Sequence, residues 1–184
     1  NISNNLPVLV SGATGGVGSV AVGLLSKLGY EVHAITGKPN ESDLLKSIGA
    51  SETISRHDYM SEPIKPLDKG IYGSAVDSVG GDMLAKMISM ISNQGVVSCC
   101  GNVGGANFTS SVFPFILRGV QLSGVDSAES PIEVKKELWN LLSNKWSIDL
   151  TKQIKTVDIS NIGLEIDKIL KGDQVGRVVI QHGE

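Results

Sequence analysis

Apolar residues follow two spacings along this chain, and these spacings predict strands and helices in alternation. Residues 6–10 are almost all apolar, as in a short strand that is buried on both faces. The segment after them has apolar residues three and four positions apart, which is typical of one face of a helix. The residues on that predicted face are Val17, Val20, Ala21, Leu24, Leu25 and Leu28.

The same two patterns continue to the end of the chain. They predict further strands at residues 31–36, 52–55, 74–79, 95–100, 120–125 and 178–180. They predict further helices at residues 43–48, 82–91, 113–118, 131–143 and 162–170. Asp82 is expected to be the N-cap of its helix, and residues 60–69 are expected to lie on the surface. Strands that alternate with helices predict an α/β fold in three layers, with a parallel sheet covered on both faces.

A glycine-rich turn joins the first predicted strand to the first predicted helix. Residues 11–18 read Ser-Gly-Ala-Thr-Gly-Gly-Val-Gly, so Gly15 and Gly18 take the second and third glycine positions of G-x-G-x-x-G, and Ala13 takes the first. Free N–H groups and the positive end of the helix dipole can hold a pyrophosphate at such a turn. This order predicts a Rossmann-type, doubly wound dinucleotide-binding domain, with an ordinary glycine-rich turn as the alternative. A P-loop is excluded, because Ser19 follows where that motif needs lysine.

Length, charge and cysteine content argue against several classes of protein. The chain has 184 residues, enough for one domain with a sizeable core, and 41% of them are hydrophobic. Its 16 basic and 19 acidic residues give a net charge of −3 without a basic cluster, which argues against nucleic acid as a partner. No apolar run reaches the ~20 residues of a membrane span, and no signal peptide is recognised. The adjacent Cys99 and Cys100 are unsuited to a structural disulfide, which favours a reducing, cytoplasmic location.

The ends of the second and third predicted strands indicate which dinucleotide binds. NAD sites usually place Asp or Glu about 20 residues after the glycines, where the carboxylate holds the ribose hydroxyls. Here the second strand ends in Thr36, Gly37 and Lys38, without an acidic residue, and Arg56 follows the third strand. Lysine and arginine attract the 2′-phosphate that a carboxylate would repel, and a threonine hydroxyl can hydrogen-bond to it. We therefore predict NADP as the cofactor.

Several segments taken together resemble a known family. They are residues 11–18, Thr36-Gly37-Lys38 with Arg56, Cys100-Gly101-Asn102, Pro114-Phe115-Ile116-Leu117-Arg118, Gly124-Val125-Asp126-Ser127 and the closing Gly176-Arg177-Val178-Val179-Ile180. This set covers nearly the whole chain and is similar to the cofactor-binding domain of medium-chain dehydrogenases/reductases. The segments at residues 114–118 and 124–127 are more specific to the zinc-independent branch of quinone oxidoreductases and acryloyl-CoA reductases.

The resemblance implies a role for residues at each end of a bound dinucleotide. The pyrophosphate is expected at Thr14, Gly15, Gly16 and Val17. The 2′-phosphate and its ribose are expected at Thr36, Gly37 and Lys38, with Arg56 beside the phosphate and adenine. The nicotinamide half is expected at Asn102, Ile116 and Ser127, where the contact of Asn102 can come from its backbone alone. Relatives often carry arginine where this chain has the Gly37-Lys38 pair. Lysine keeps the positive charge, but it lacks the planar guanidinium group that donates two parallel hydrogen bonds to a phosphate.

The resemblance also implies a second, barrel-like catalytic domain upstream of Asn1. Residues 1–184 are then one dinucleotide-binding domain, with residues 172–184 returning toward the other domain. The expected reaction of the whole protein is hydride transfer from NADPH to an activated alkene, such as acryloyl-CoA or a quinone-like small molecule. The catalytic residues stay unknown, and this chain alone is expected to be inactive. No zinc is expected, because the three histidines are dispersed and the two cysteines lack metal-ligand spacing.

The strand predicted at residues 120–125 points to an assembly. An apolar strand at the edge of a sheet has unpaired N–H and C=O groups that can pair with another chain. The family resemblance adds that such reductases commonly join their sheets across this edge. We therefore expect a homodimer through Val120, Leu122 and their neighbours, with the two strands antiparallel about a two-fold axis. The alternatives are that the helix at residues 131–143 covers this strand, or that a different apolar surface around residues 178–180 associates instead.

Two other functions compete with this interpretation. A short-chain reductase needs tyrosine with lysine four residues later, but Ala34, Pro63 and Val76 stand four residues after the three tyrosines. The second alternative is a non-catalytic module that binds NADPH and changes the state of a partner, which the residues leave open. Asp77 and Asp126 are interpreted as hydrogen-bond partners of loops rather than as acid–base residues.

Overall fold

A six-stranded parallel sheet forms the centre of the computed structural model, which describes residues 5–183. Its strands are β1 (Val8–Val10), β2 (Val32–Thr36), β3 (Glu52–Ser55), β4 (Tyr72–Asp77), β5 (Ile91–Cys99) and β6 (Gln121–Gly124). Their order is β3-β2-β1-β4-β5-β6, so β1 pairs with β2 on one side and with β4 on the other. The strand order therefore reverses between β1 and β4, and the predicted Rossmann-type, doubly wound α/β fold is confirmed.

Helices follow the strands in alternation. They are α1 (Gly18–Lys27), α2 (Ser42–Ser47), α3 (Arg56–Ser61), α4 (Gly81–Ser89), α5 (Phe113–Arg118), α6 (Ile132–Ser143) and α7 (Ile162–Lys171). Single 3₁₀ turns lie at Pro39–Glu41, Thr151–Gln153 and Ile159–Asn161. None of the helices among residues 5–183 is long and apolar enough to cross a membrane.

Two apolar cores lie on the two faces of the sheet, because side chains of a strand alternate between faces. Leu9 packs on one face with Met87, Ile88 and other residues of α4. Val10 packs on the opposite face with Val22 of α1 and with Leu45 of α2. The central strand β1 is thus buried on both sides, as its continuous apolar run predicts.

The last part of the chain forms a separate, smaller sheet. Strands β7 (Ile154–Asp158) and β8 (Arg177–Gln181) pair in parallel, with α7 between them in sequence. Few residues of this part are buried, and Glu165 is the one buried residue of α7. Gly176 N donates to Thr14 O at 2.8 Å, which connects this part of the chain to the glycine turn after β1. The predicted strand at residues 178–180 is part of β8.

The structure differs from the sequence-based prediction in three elements. Helix α3 was not predicted, because Tyr59 is its one buried residue and the segment has no periodic apolar pattern. Strand β7 was not predicted, since it alternates weakly and packs against β8 alone. The helix predicted at residues 82–91 ends at Ser89, because Ile91 begins β5, and its N-cap is Gly80 with φ 75° rather than Asp82.

The buried face of α1 was predicted in part. Ala21 and Leu25 pack against the core as expected, whereas Val17 is 51% and Leu28 40% exposed. The buried residues are Gly18, Ser19, Val22 and Gly23, of which only Val22 is large and apolar. A Cβ on Gly18 would lie 2.3 Å from Gly12 O, so the start of the helix lies directly against the glycine turn.

Candidate cofactor site

The glycine motif turns at the carboxyl end of β1, beside the point where the strand order reverses. Gly12 has φ 57°, and Gly15 N donates to Gly12 O at 2.9 Å, which closes the turn. The N–H groups of Gly16 and Val17 find no hydrogen-bond acceptor among residues 5–183. They lie at the N-terminus of α1, whose first turn contains no acidic residue. Free donors and the positive end of a helix dipole can bind a phosphate group here.

Hydrogen bonds connect this motif to the carboxyl end of β2. Ala13 N donates to Ile35 O at 3.0 Å, and the Thr14 and Thr36 hydroxyls lie 3.1 Å apart. Lys38 N donates to the same Thr36 hydroxyl at 2.9 Å. The two threonines are 3% and 2% exposed, so their hydroxyls lie beneath the surface of the site.

A pair of basic side chains lies at the ends of β2 and β3. The Arg56 guanidinium packs over Gly37, where a Cβ would lie 3.0 Å from its Cζ. Lys38 follows Gly37 directly, and neither Lys38 nor Arg56 has a carboxylate within 4.0 Å among the described residues. The sequence-predicted group of Thr36, Gly37, Lys38 and Arg56 is therefore brought together, with two cations free for an anion.

A third basic side chain at this site was not predicted. Arg177 of β8 donates from Nη2 to Gly16 O at 3.0 Å, and a Cβ on Gly16 would lie 3.3 Å from its Cγ. Arg177 is exposed, and the N–H groups of its guanidinium that do not bond to Gly16 O are available to an anion beside the glycine motif. Position 177 lies 161 residues from Gly16, and no local pattern connects two positions so far apart.

A cleft of about 730 Å³ opens at the carboxyl ends of β4, β5 and β6. Its lining consists of Gly80, Gly81, Leu84, Cys99, Cys100, Gly101, Asn102, Gly105, Ala106, Phe108, Gly124, Val125 and Asp126. Asn102, one of the predicted nicotinamide residues, lines it. Ser127 follows the lining residue Asp126, whereas Ile116 lies on α5 outside the lining and is 69% exposed.

Asp77 holds the loops around this cleft together. Its fully buried carboxylate accepts hydrogen bonds from Ser11 Oγ at 2.7 Å, from Gly80 N at 2.8 Å and from Val79 N at 3.2 Å. The interpretation of Asp77 as a partner of loop backbone is confirmed, and the same holds for Asp126, which accepts from the N–H groups of two following residues at 3.1 Å. The buried carboxylate thereby positions the turn that leads into α4.

The two cysteines are free thiols on the wall of the cleft. Burial raises the pKa of Cys99 and of Cys100, and the nearby Asp77 carboxylate raises both further. The thiols are therefore protonated at neutral pH, which makes them weak nucleophiles and poor metal ligands. Residues 5–183 contain no group of three or more His, Cys, Asp and Glu side chains that could hold a metal ion.

Comparison with known proteins identifies the family. Residues 16–144 match the family of zinc-binding dehydrogenases, which is more than half of the chain. The chain belongs to that family. Within it, the chain is 43% identical over 177 residues to the acrylyl-CoA reductase AcuI of Ruegeria pomeroyi, covering 95% of this chain and 53% of the relative. The predicted resemblance to the branch of acryloyl-CoA reductases and quinone oxidoreductases is confirmed.

Two solved structures share the fold over nearly the whole chain. A crystal structure of Bacillus subtilis protein yhfP with NAD bound has a TM-score of 0.91 at 40% identity and covers 97% of this chain and 55% of that chain. A crystal structure of the yhdH oxidoreductase from Salmonella enterica in complex with NADP has a TM-score of 0.89 at 34% identity. The match covers 97% of this chain and 55% of that chain. This chain spans about half the length of the relatives it matches.

Proposed function

We propose that this chain is the dinucleotide-binding part of an NADPH-dependent oxidoreductase. The whole enzyme would transfer hydride to an activated alkene, either an enoyl thioester such as acryloyl-CoA or a quinone-like acceptor. The cofactor supplies the hydride, and this chain binds and orients it. Family membership and the oxidoreductases among the relatives support the reaction class.

The choice of NADPH rests on the pair Lys38 and Arg56. One relative is solved with NAD and another with NADP, so the family leaves the 2′-phosphate open. In this chain two cations without a carboxylate partner stand at the ends of β2 and β3. They favour a phosphate, which carries more negative charge than a ribose hydroxyl.

Each part of the site has a proposed task. The free N–H groups of Gly16 and Val17, together with the Arg177 guanidinium, bind the pyrophosphate. Lys38 and Arg56 bind the 2′-phosphate, while the cleft beside Asn102 receives the nicotinamide. Ile116 and Ser127 contact that half from α5 and from the end of β6, in line with the family resemblance.

Titration calorimetry with NADPH and NADH tests the cofactor. We expect NADPH to bind at least tenfold more tightly, which needs about 1.4 kcal/mol and lies within reach of one charge-assisted contact. Lys38→Asp should remove most of that preference, whereas the matched variant Lys46→Asp on α2 should keep it. Equal affinities in the wild-type protein would contradict the proposal.

Steady NADPH oxidation by the full-length protein tests the reaction. Turnover with acryloyl-CoA or a quinone would support the enzyme, while tight NADPH binding without turnover of any such acceptor would favour the sensing module. The 184-residue chain alone should bind the cofactor and show negligible turnover. A rate from this chain equal to that of the full-length protein would contradict the need for a second domain.

The proposed second domain has a matching surface on this chain. Helix α7 exposes Ile166 by 47%, Ile169 by 57% and Leu170 by 79%, and these side chains, three and four positions apart, form an apolar face that residues 5–183 leave uncovered. An exposed apolar face is typical of an interface. Because the chain spans about half of its relatives, the remainder of the longer protein is the proposed occupant.

The proposed homodimer uses the free edge of β6. This strand pairs with β5 on one side, and its other side has no neighbour among the described residues. Leu122 is 37% exposed there, whereas Val120 is buried and contributes to the core instead. Leu122→Lys should yield a monomer by light scattering, because a charge at an edge disfavours pairing. A folded variant that stays dimeric would locate the interface elsewhere.

A further inference from the structure

The hydroxyl of Thr36 is already occupied by groups of the protein. It accepts a hydrogen bond from Lys38 N at 2.9 Å and lies 3.1 Å from the Thr14 hydroxyl. A threonine hydroxyl has one proton and two lone pairs. Lys38 N takes one lone pair, and the Thr14 hydroxyl takes either the proton or the second lone pair, so two of the three hydrogen-bonding positions of the oxygen are used within the protein. Thr36 is also 2% exposed, which leaves little of its surface for a ligand.

Thr14 lies inside the glycine motif, two residues before the free N–H of Gly16. Its own backbone carbonyl accepts from Gly176 N at 2.8 Å, and the neighbouring Ala13 N donates to Ile35 O at 3.0 Å. The Thr14–Thr36 contact is therefore the side-chain part of a set of bonds that fixes the motif to the end of β2. Loss of either hydroxyl would leave the other buried with one partner fewer.

From these contacts we infer that Thr36 is a positioning residue for the pyrophosphate site and does not contact the 2′-phosphate. It acts through Thr14, whose placement sets the direction of the free N–H groups of Gly16 and Val17. Preference for NADPH then belongs to Lys38 and Arg56 alone. This inference rests on the proposed function and differs from the role that the family resemblance implies for Thr36.

Measuring the affinities of two dinucleotides distinguishes between a positioning role of Thr36 at the pyrophosphate site and a direct contact with the 2′-phosphate. Both NADPH and NADH contain the pyrophosphate, and NADPH alone contains the 2′-phosphate. In the full-length protein, Thr36→Val removes the contacts with both Thr14 and Lys38 N, and the loss of the Thr14 bond alone should weaken both dinucleotides about three- to tenfold. Thr14→Val removes that same bond but leaves Lys38 N on the Thr36 hydroxyl, so it should leave the ratio of the two affinities unchanged. A fall in NADPH affinity with NADH affinity retained would overturn the inference.

A double-mutant cycle on Thr14 and Thr36 distinguishes a positioning role from a nonspecific loss of stability. Thr14→Val should weaken both dinucleotides by a similar factor, and adding it to Thr36→Val should cost no more than twofold further, because one shared bond is lost. Thr36→Ser keeps the hydroxyl and should restore both affinities. Independent, multiplying losses or a failed rescue by serine would overturn the inference.

A hydroxyl pair elsewhere in the sheet provides the matched control. Thr53 on β3 bonds to Ser42 on α2, and this pair does not contact the glycine motif. Thr53→Val should leave both dinucleotide affinities within twofold of wild type; a loss equal to that of Thr36→Val would overturn the specific role. If Thr36→Val fails to fold, Thr14→Val reports the same bond from the other side. A wild-type protein that binds neither dinucleotide would refute the proposed function before any variant is compared.

Discussion

Helices α4 and α7 have similar lengths and similar amphipathic patterns, but α4 is almost entirely buried and α7 is almost entirely exposed. Eight of the nine residues of α4 are buried, whereas one of the ten residues of α7 is buried. That one residue is Glu165, whose carboxylate accepts from Lys155 Nζ at 2.6 Å and from Lys168 Nζ at 2.9 Å. An apolar stripe therefore predicts a helix, while the burial of that helix depends on which layer lies opposite it.

The difference has a physical origin in the sheet. Helix α4 connects β4 to β5 and packs on the main sheet through Leu84, Met87 and Ile88. Helix α7 connects β7 to β8, and a two-stranded sheet offers too little surface to cover it. Apolar packing therefore stabilises α4, whereas the one buried side chain of α7, Glu165, pairs with the half-exposed Lys155 and Lys168 and contributes little.

The largest expected effect is the removal of apolar volume from α4. Met87→Ala should lower the free energy of unfolding by about 2–5 kcal/mol, because the side chain is fully buried and leaves a cavity. Leu170→Ala on α7, at 79% exposure, should change it by less than about 0.5 kcal/mol. Urea unfolding of the 184-residue chain measures both, and equal losses would contradict the contrast between the helices.

A smaller effect is expected on α7 once the rest of the protein is present. Ile169→Asp should destabilise the full-length protein by about 1–3 kcal/mol, because it buries a charge in the proposed domain interface. The same change should leave the 184-residue chain within about 0.5 kcal/mol of wild type, since Ile169 is 57% exposed there. Thermal unfolding of both proteins measures these changes. If Ile169→Asp does not destabilise the full-length protein, α7 is not part of the proposed interface.

Arg177 joins the two regions, since it extends from β8 to the glycine motif. Arg177→Gln should weaken NADPH and NADH alike by about tenfold, or ~1.4 kcal/mol, because both carry the pyrophosphate. Arg177→Lys keeps the positive charge but loses the planar guanidinium group. Its dinucleotide affinities should therefore lie between those of the wild-type protein and those of Arg177→Gln. Calorimetry measures the affinities, and a loss confined to NADPH would instead assign Arg177 to the 2′-phosphate.

The smallest effect concerns pH and α7. Hydrogen bonds from Lys155 and then Lys168 lower the pKa of Glu165. The folded chain therefore gains stability from this carboxylate above its unfolded pKa, and loses that stability as the pH falls through the lowered folded pKa. Glu165→Gln should speed amide hydrogen exchange in α7 at pH 7 and match wild type at low pH, with α4 unaffected. An equal difference at both pH values would exclude the titration of Glu165 as the cause.

The cofactor edge was largely predictable, because its residues follow strands at short distances in sequence. The glycine motif follows β1, Lys38 follows β2 and Arg56 follows β3, so the parallel arrangement brings all three to one edge. Asn102 could be assigned to the cleft for the same reason, since it follows β5. Arg177 could not, because its contact with Gly16 depends on the way β7 and β8 fold back.

Periodicity and the residues at strand ends determined the types of most elements, with α3 and β7 as exceptions, together with the parallel sheet, the glycine motif and the lack of an acidic residue directly after β2. These are local properties, set by the 2.0- and 3.6-residue periods and by the residues at each strand end. Tertiary structure alone decided that Gly18 and Gly23 are buried on α1 while Val17 is exposed, that α7 stays uncovered within residues 5–183, that Thr36 bonds to Thr14 and that Arg177 reaches Gly16. Each of these depends on contacts between residues far apart in the chain, where space and hydrogen-bond partners, rather than composition, select the outcome.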